Sequence, residues 1–239
     1  MYINETIERN ENPAASMGGA LSTVYLMDCI EGMKQYPDKH FDLAVVDPPY
    51  GINHSEIAGR QSGTKYGNAA AAKKEYTIKD WDKQIPPLEY FVELKRVSKN
   101  QIVWGANYMT EHLPPSMGWV FWDKDNGTNG FSDGELAYTS FDKGLRKIKI
   151  TWNGMIQYDM KNKEDRIHPT QKPVKLYEWI FANYAKEGDL ILDTHLGSQS
   201  SRIAANKAGL DFVGFEVDKE YYDQGNKRFK EFVSQMRLF

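Results

Sequence analysis

Two periodicities alternate along the last third of the chain, and that alternation limits the fold more than any other feature of the sequence. Tyr177, Ile180, Phe181 and Tyr184 recur at helical spacing within residues 174–185, and Gly188-Asp189 then turns the chain into the short apolar run Leu190-Ile-Leu-Asp193. A second helical stretch, 200–208, is closed by Gly209 and followed by the strand-like Phe212-Val-Gly-Phe-Glu216. Asp218 stands where it can cap a last helix bearing Phe229, Phe232, Val233 and Met236. Strands separated by helices return through crossovers, which makes them parallel and puts helices on both faces of the sheet. The predicted class is α/β, a mostly parallel sheet between helical layers.

The upstream chain reads the same way. Residues 24–27 form a short strand, and Cys29, Ile30 and Met33 a helix that Pro37 stops. Phe41-Asp-Leu-Ala-Val-Val46 is an apolar run rich in β-formers, ending in Asp47-Pro48-Pro49-Tyr50-Gly51, where two prolines forbid further ladder pairing. A helix over 87–98 and a strand over 101–104 come next, then strands at 119–122, 136–141 and 147–152, with Gly127, Gly130, Gly134 and Gly144 at turns. Residues 53–83 carry neither period and read as a long loop of the kind that binds or covers ligands. The 239 residues suit a single domain over 21–239, preceded by a flexible or loosely packed segment, 1–20, and carrying insertions near 53–83 and 124–166.

Composition removes several function classes. One cysteine, Cys29, forms no internal disulfide and supplies no thiolate metal site, so no metal is expected and a cytoplasmic setting fits. Acids at Glu5, Glu8 and Glu11 replace the basic start of a signal peptide, and no apolar run is long enough to span a membrane. The net charge of −3 hides an uneven distribution. Residues 1–59 hold nine acids against three bases, whereas 143–175 hold nine bases against three acids. A local cationic patch of that kind can neutralise phosphates, although a solvated lysine-rich face would read identically.

Two predicted strands end in acids, on the side of the sheet where open α/β folds bind ligands. Asp193-Thr-His-Leu-Gly-Ser198 leads from strand to helix, and Glu216 ends the next strand about twenty residues on, where a carboxylate can accept from both hydroxyls of a ribose. With only one glycine in the loop a phosphate cradle is absent, and a tight turn with surface acids remains the alternative. Asp47-Pro48-Pro49-Tyr50 suits an exocyclic amine on a flat ring. The carboxylate and the Pro48 carbonyl can accept its two N–H bonds while Tyr50 stacks on the ring.

Together, Asp47-Pro-Pro-Tyr50, His168-Pro-Thr-Gln-Lys-Pro173, Asp193-Thr-His-Leu-Gly-Ser198 and Phe215-Glu-Val-Asp218, in this order, resemble the beta-class S-adenosylmethionine-dependent DNA amino-methyltransferases. The resemblance covers about residues 24–232 and implies a Rossmann-like methyltransferase fold with an inserted DNA-recognition region. It implies that Asp47, Pro48, Pro49 and Tyr50 hold and stack a base flipped from double-stranded DNA. Asp193, Gly197 and Ser198 would line the methionine part of the cofactor, Glu216 its ribose and Asp28 its adenine edge, while His195 would contact the cofactor or serve the structure alone. His168, Thr170 and Lys172 would approach its carboxylate, with Lys172 as charge partner. Trp104-Gly-Ala-Asn107 is expected near the base pocket, and Phe121-Trp122-Asp123-Lys124 either around it or in the core. Recognition of DNA falls to Arg60, Lys65, Lys73 and Lys74 in the first insertion and Lys143, Arg146, Lys147 and Lys149 in the second.

The DPPY form tilts the resemblance toward adenine N6, with cytosine N4 as alternative. The family's cofactor loop commonly has phenylalanine and a second glycine where this chain has His195 and Gln199. A non-catalytic DNA-binding module with an impaired cofactor loop is therefore the competing class. The resemblance leaves room for a homodimer and a cognate restriction endonuclease as partners.

Overall fold

The computed structural model describes residues 9–11, 20–52, 82–126, 132–153 and 156–236. Eleven strands are present among them: β1 (Arg9–Glu11), β2 (Ser22–Leu26), β3 (Phe41–Val46), β4 (Ser98–Trp104), β5 (Trp119–Asp123), β6 (Gly134–Thr139), β7 (Arg146–Lys149), β8 (Trp152–Asn153), β9 (Ile156–Gln157), β10 (Leu190–Asp193) and β11 (Asp211–Glu216). Five α-helices accompany them: α1 (Cys29–Met33), α2 (Leu88–Val97), α3 (Val174–Tyr184), α4 (Ser200–Lys207) and α5 (Lys219–Met236). Nine strands form one sheet in the order β1-β2-β11-β10-β3-β4-β6-β5-β7. The run from β2 to β4 is parallel, β6 is antiparallel to both β4 and β5, and β7 is parallel to β5.

The centre of the sheet is apolar on both faces because helices cover both. Along β3, Leu43 and Val45 join the core under α3, α4 and α5, while Ala44 and Val46 join the core with Tyr90, Phe91 and Leu94 of α2. Within the N-terminal segment, Arg9–Glu11 pairs antiparallel with β2 as an edge strand. The strand expected over 147–152 is divided instead. Lys149 ends β7, and Trp152 begins a separate two-stranded ribbon with β9. The strand expected from Gln101 starts at Ser98, so α2 runs into β4 without a loop. Among the described residues no helix is long and apolar enough to cross a membrane.

Candidate active site

Chain direction on the sheet locates the crevice. From β3 the chain moves outward to β4, whereas from β10 it moves the other way to β11, so the order reverses between the adjacent strands β3 and β10. Crevices at such a switch point, beyond the carboxyl ends of the strands, take ligands in open α/β folds. Asp47 follows β3, and Asp193 ends β10.

At Asp47 the side chains converge tightly. Its Oδ1 accepts from the Tyr50 hydroxyl at 2.6 Å and from Lys172 Nζ at 2.6 Å. Among the described residues nothing donates to Oδ2. Lys172 also donates to the Tyr50 hydroxyl at 2.9 Å and to Glu135 Oε2 at 2.9 Å, and Lys124 pairs with the other Glu135 oxygen. Burial and the Glu135 charge push the Asp47 carboxyl upward, against the pull of Lys172. Burial acts upward on Glu135 too, but Lys172 and Lys124 overcome it and hold Glu135 down to about 2. Burial opposes the charge on Lys172, which Asp47 and Glu135 nevertheless raise above the ordinary ammonium range. Tyr50 stays protonated, its pKa raised well above the usual value by burial and by the charge on Asp47.

The turn that presents these groups is fixed from below. The buried Asp82 accepts the Tyr50 and Gly51 backbone N–H groups at 2.9 and 3.1 Å through one carboxylate oxygen. Gly105 follows β4 with φ of +65°, and a Cβ there would lie 2.0 Å from the Tyr50 ring, so only glycine serves. Trp104 lies beside this cluster, with the Lys172 ammonium 5.5 Å over its ring. Trp122 belongs to the core, donating to the Ile150 carbonyl. Reading strand ends missed Glu135 and Asp82. Glu135 starts an antiparallel strand, so its amino end, not its carboxyl end, reaches the crevice.

Three acids line the neighbouring strand ends. Glu216 accepts the Gly197 N–H at 2.8 Å and the Asp218 N–H at 2.9 Å, which ties the loop after β10 to the end of β11. Asp193 accepts the His195 N–H and the Ser201 hydroxyl, and burial pushes it up to about 7. Asp28 caps α1 through Oδ1, which accepts from the Ile30 and Glu31 N–H groups. His168 is a near neighbour of Gly197, and its Nδ1 is 3.1 Å from the Thr170 hydroxyl. Ser198 Oγ meets Ser200 Oγ at 3.0 Å. His195 Nδ1 is 2.9 Å from the Thr194 hydroxyl, and burial lowers its pKa to about 4, leaving it neutral. Lys172, expected at a cofactor carboxylate, has its ammonium among Asp47, Glu135 and Tyr50.

Gln199 does take the left-handed conformation, with φ of +57°. Its side chain turns inward, hydrogen-bonding Arg202 and Asn226 at 3.0 and 3.2 Å beside Gly225, where a Cβ would come within 2.7 Å of it. The polar end of Gln199 is thus satisfied inside the protein.

Of the basic candidates, Arg60, Lys65, Lys73 and Lys74 lie outside the described residues. Lys147 and Lys149, on the edge strand β7, pair with Asp123 and Asp125 at 2.8 Å each. Lys143 donates to the Asn183 carbonyl and lies over the Tyr184 ring, while Arg146 is exposed.

The chain is 24% identical to the type II methyltransferase M.HinfI of Haemophilus influenzae, over 88% of this chain and 69% of the relative. It is 23% identical to the type II methyltransferase M1.MboII of Moraxella bovis, over 86% of this chain and 95% of the relative. The structure of TTHA0409, a putative DNA modification methylase from Thermus thermophilus, shares the fold with a TM-score of 0.55 at 14% identity, over 88% and 95% of the two chains. The family model described as DNA methylase, covering N6 and N4 enzymes, matches residues 93–227, more than half of the chain. With the DPPY turn at a switch point of a mostly parallel sheet, the protein belongs to the N6/N4 DNA methylase family of amino-methyltransferases.

Proposed function

We propose that the protein transfers a methyl group from S-adenosylmethionine to the N6 amine of an adenine flipped out of double-stranded DNA. One observation carries this reading: Asp47 is anchored through Oδ1 by Tyr50 and Lys172, which leaves Oδ2 to accept an amine N–H at the crevice. When bound, the cofactor supplies an electrophilic methyl group on a sulfonium centre. The crevice fits it, since Asp28, Asp193 and Glu216 lie at three successive strand ends and an acidic lining suits a cationic ligand. Glu216 would hold the ribose, and Gly197 and Ser198 would line the methionine part, with His168 and Thr170 beside them. Asp28 would meet the adenine edge. Asp193 shapes the loop through its hydrogen bonds to His195 and Ser201.

On the substrate side, Asp47 Oδ2 and the Pro48 carbonyl accept the two amine N–H bonds, and Pro49 keeps the turn rigid. Withdrawing those hydrogens toward acceptors leaves the nitrogen lone pair aimed at the methyl group. As the amine becomes positive, Asp47 stabilises the charge and takes the released proton at Oδ2, a role its raised pKa favours. Lys172 acts as a positioning residue for Asp47. The DPPY turn supports adenine as the base. Nucleoside analysis of duplex DNA incubated with labelled S-adenosylmethionine tests this directly. N6-methyladenine is the expected product; N4-methylcytosine would move the assignment to the other amine, and no methylated nucleoside would overturn it.

A further inference from the structure

The ring of Tyr50 is covered. Tyr108 stacks on it with ring centroids 5.4 Å apart and planes 15° from parallel. Tyr50 has no freedom to respond, because Asp47 and Lys172 hold its hydroxyl, Asp82 holds its backbone and Gly105 abuts its ring. Tyr108 differs on every count. It is 48% exposed, it sits on the short 3-10 turn Ala106–Tyr108, and among the described residues its hydroxyl has no hydrogen-bond partner. The specific contact that holds this ring is the stack itself, on a face of the one aromatic group that the reacting turn presents to a planar ligand.

We infer that Tyr108 is a second base-contact residue, which covers Tyr50 in the free enzyme and moves outward to become the opposite wall of a slot for the flipped base. This rests on the proposal that the base stacks on Tyr50. A base between the two rings needs twice the ordinary stacking spacing, about 7 Å from plane to plane, so the stack must open by about one ring thickness, through an outward swing of the exposed Tyr108 side chain. Stacking is indifferent to the tyrosine hydroxyl and retained by any aromatic ring.

The test is steady-state methylation of duplex DNA by Tyr108→Ala, Tyr108→Phe, Tyr108→Trp and, in parallel, Tyr50→Ala, with the affinity for S-adenosylmethionine measured on each. Tyr108→Ala is expected to raise KM for DNA on the order of tenfold at unchanged cofactor affinity, with the Phe and Trp variants near the unsubstituted enzyme. An unchanged or lowered KM in Tyr108→Ala overturns the inference. If Tyr50→Ala is then still impaired, base stacking on Tyr50 stands and only Tyr108 is excluded. If both alanine variants act like the unsubstituted enzyme, the stacking proposal falls as well.

Discussion

An ammonium group as buried as that of Lys172 keeps its charge only where counter-charges replace the lost water, and Asp47 and Glu135 do so. Glu135 is in turn held by Lys124, so four alternating charges run from Asp47 through Lys172 and Glu135 to Lys124. Removing one member leaves a buried charge uncompensated, at a cost of about 3–5 kcal/mol. It also moves the titration of Asp47. The proposed reaction needs Asp47 ionised, so kcat/KM is expected to fall as pH drops through its pKa, which burial and Glu135 raise. Glu135→Gln removes that repulsion and frees Lys172 for Asp47, so the acid limb moves to lower pH, on the order of one unit. Lys172→Met moves it the other way. A pH–rate series on the two variants checks this, and shifts of the same sign in both would contradict the arrangement.

At the scale of elements, the loop after β10 shows how a departure from the family pattern is accommodated. The left-handed conformation of Gln199 costs about 1 kcal/mol relative to glycine, while its inward hydrogen bonds to Arg202 and Asn226 offset that cost. Gly225 leaves the space, so Gly225→Ala should destabilise the protein by about 1–3 kcal/mol in urea unfolding, and Gln199→Gly in the same chain should recover much of the loss. Strictly additive effects would show that the two residues do not share the slot. The alternation of β10, α4, β11 and α5 was legible because each crossover unit carries its own period and caps. The DPPY turn was legible because Asp47 to Tyr50 are contiguous. Glu135 was not, since its place depends on β6 running antiparallel to β4 and on Trp104 pairing with Ala137, a register no local pattern encodes. Lys172 was found, but its partners lie 122 residues away at Tyr50 and further at Asp47. The division of 147–152 between two sheets was equally hidden, because Ile148, Ile150 and Trp152 alternate inward as a continuous strand would.

Across the whole molecule, the acids Asp28, Asp193 and Glu216 lie at the strand ends β2, β10 and β11, while Arg146, Lys147 and Lys149 lie on the edge strand β7 at the other side of the sheet. Lys147 and Lys149 are already countered by Asp123 and Asp125, whereas Arg146 stands exposed. If this edge meets phosphates, Arg146→Ala lowers the slope of log DNA affinity against log salt by about one, and Lys147→Ala lowers it less. An unchanged slope in Arg146→Ala would place the edge away from DNA. Asp47, the acid at the switch point, is proposed to accept the amine through its second oxygen. Single-turnover methyl transfer to duplex DNA by Asp47→Ala, at saturating S-adenosylmethionine, tests it most directly. Transfer should fall by about a thousandfold or more with cofactor affinity retained, and transfer at the rate of the unsubstituted enzyme would contradict it.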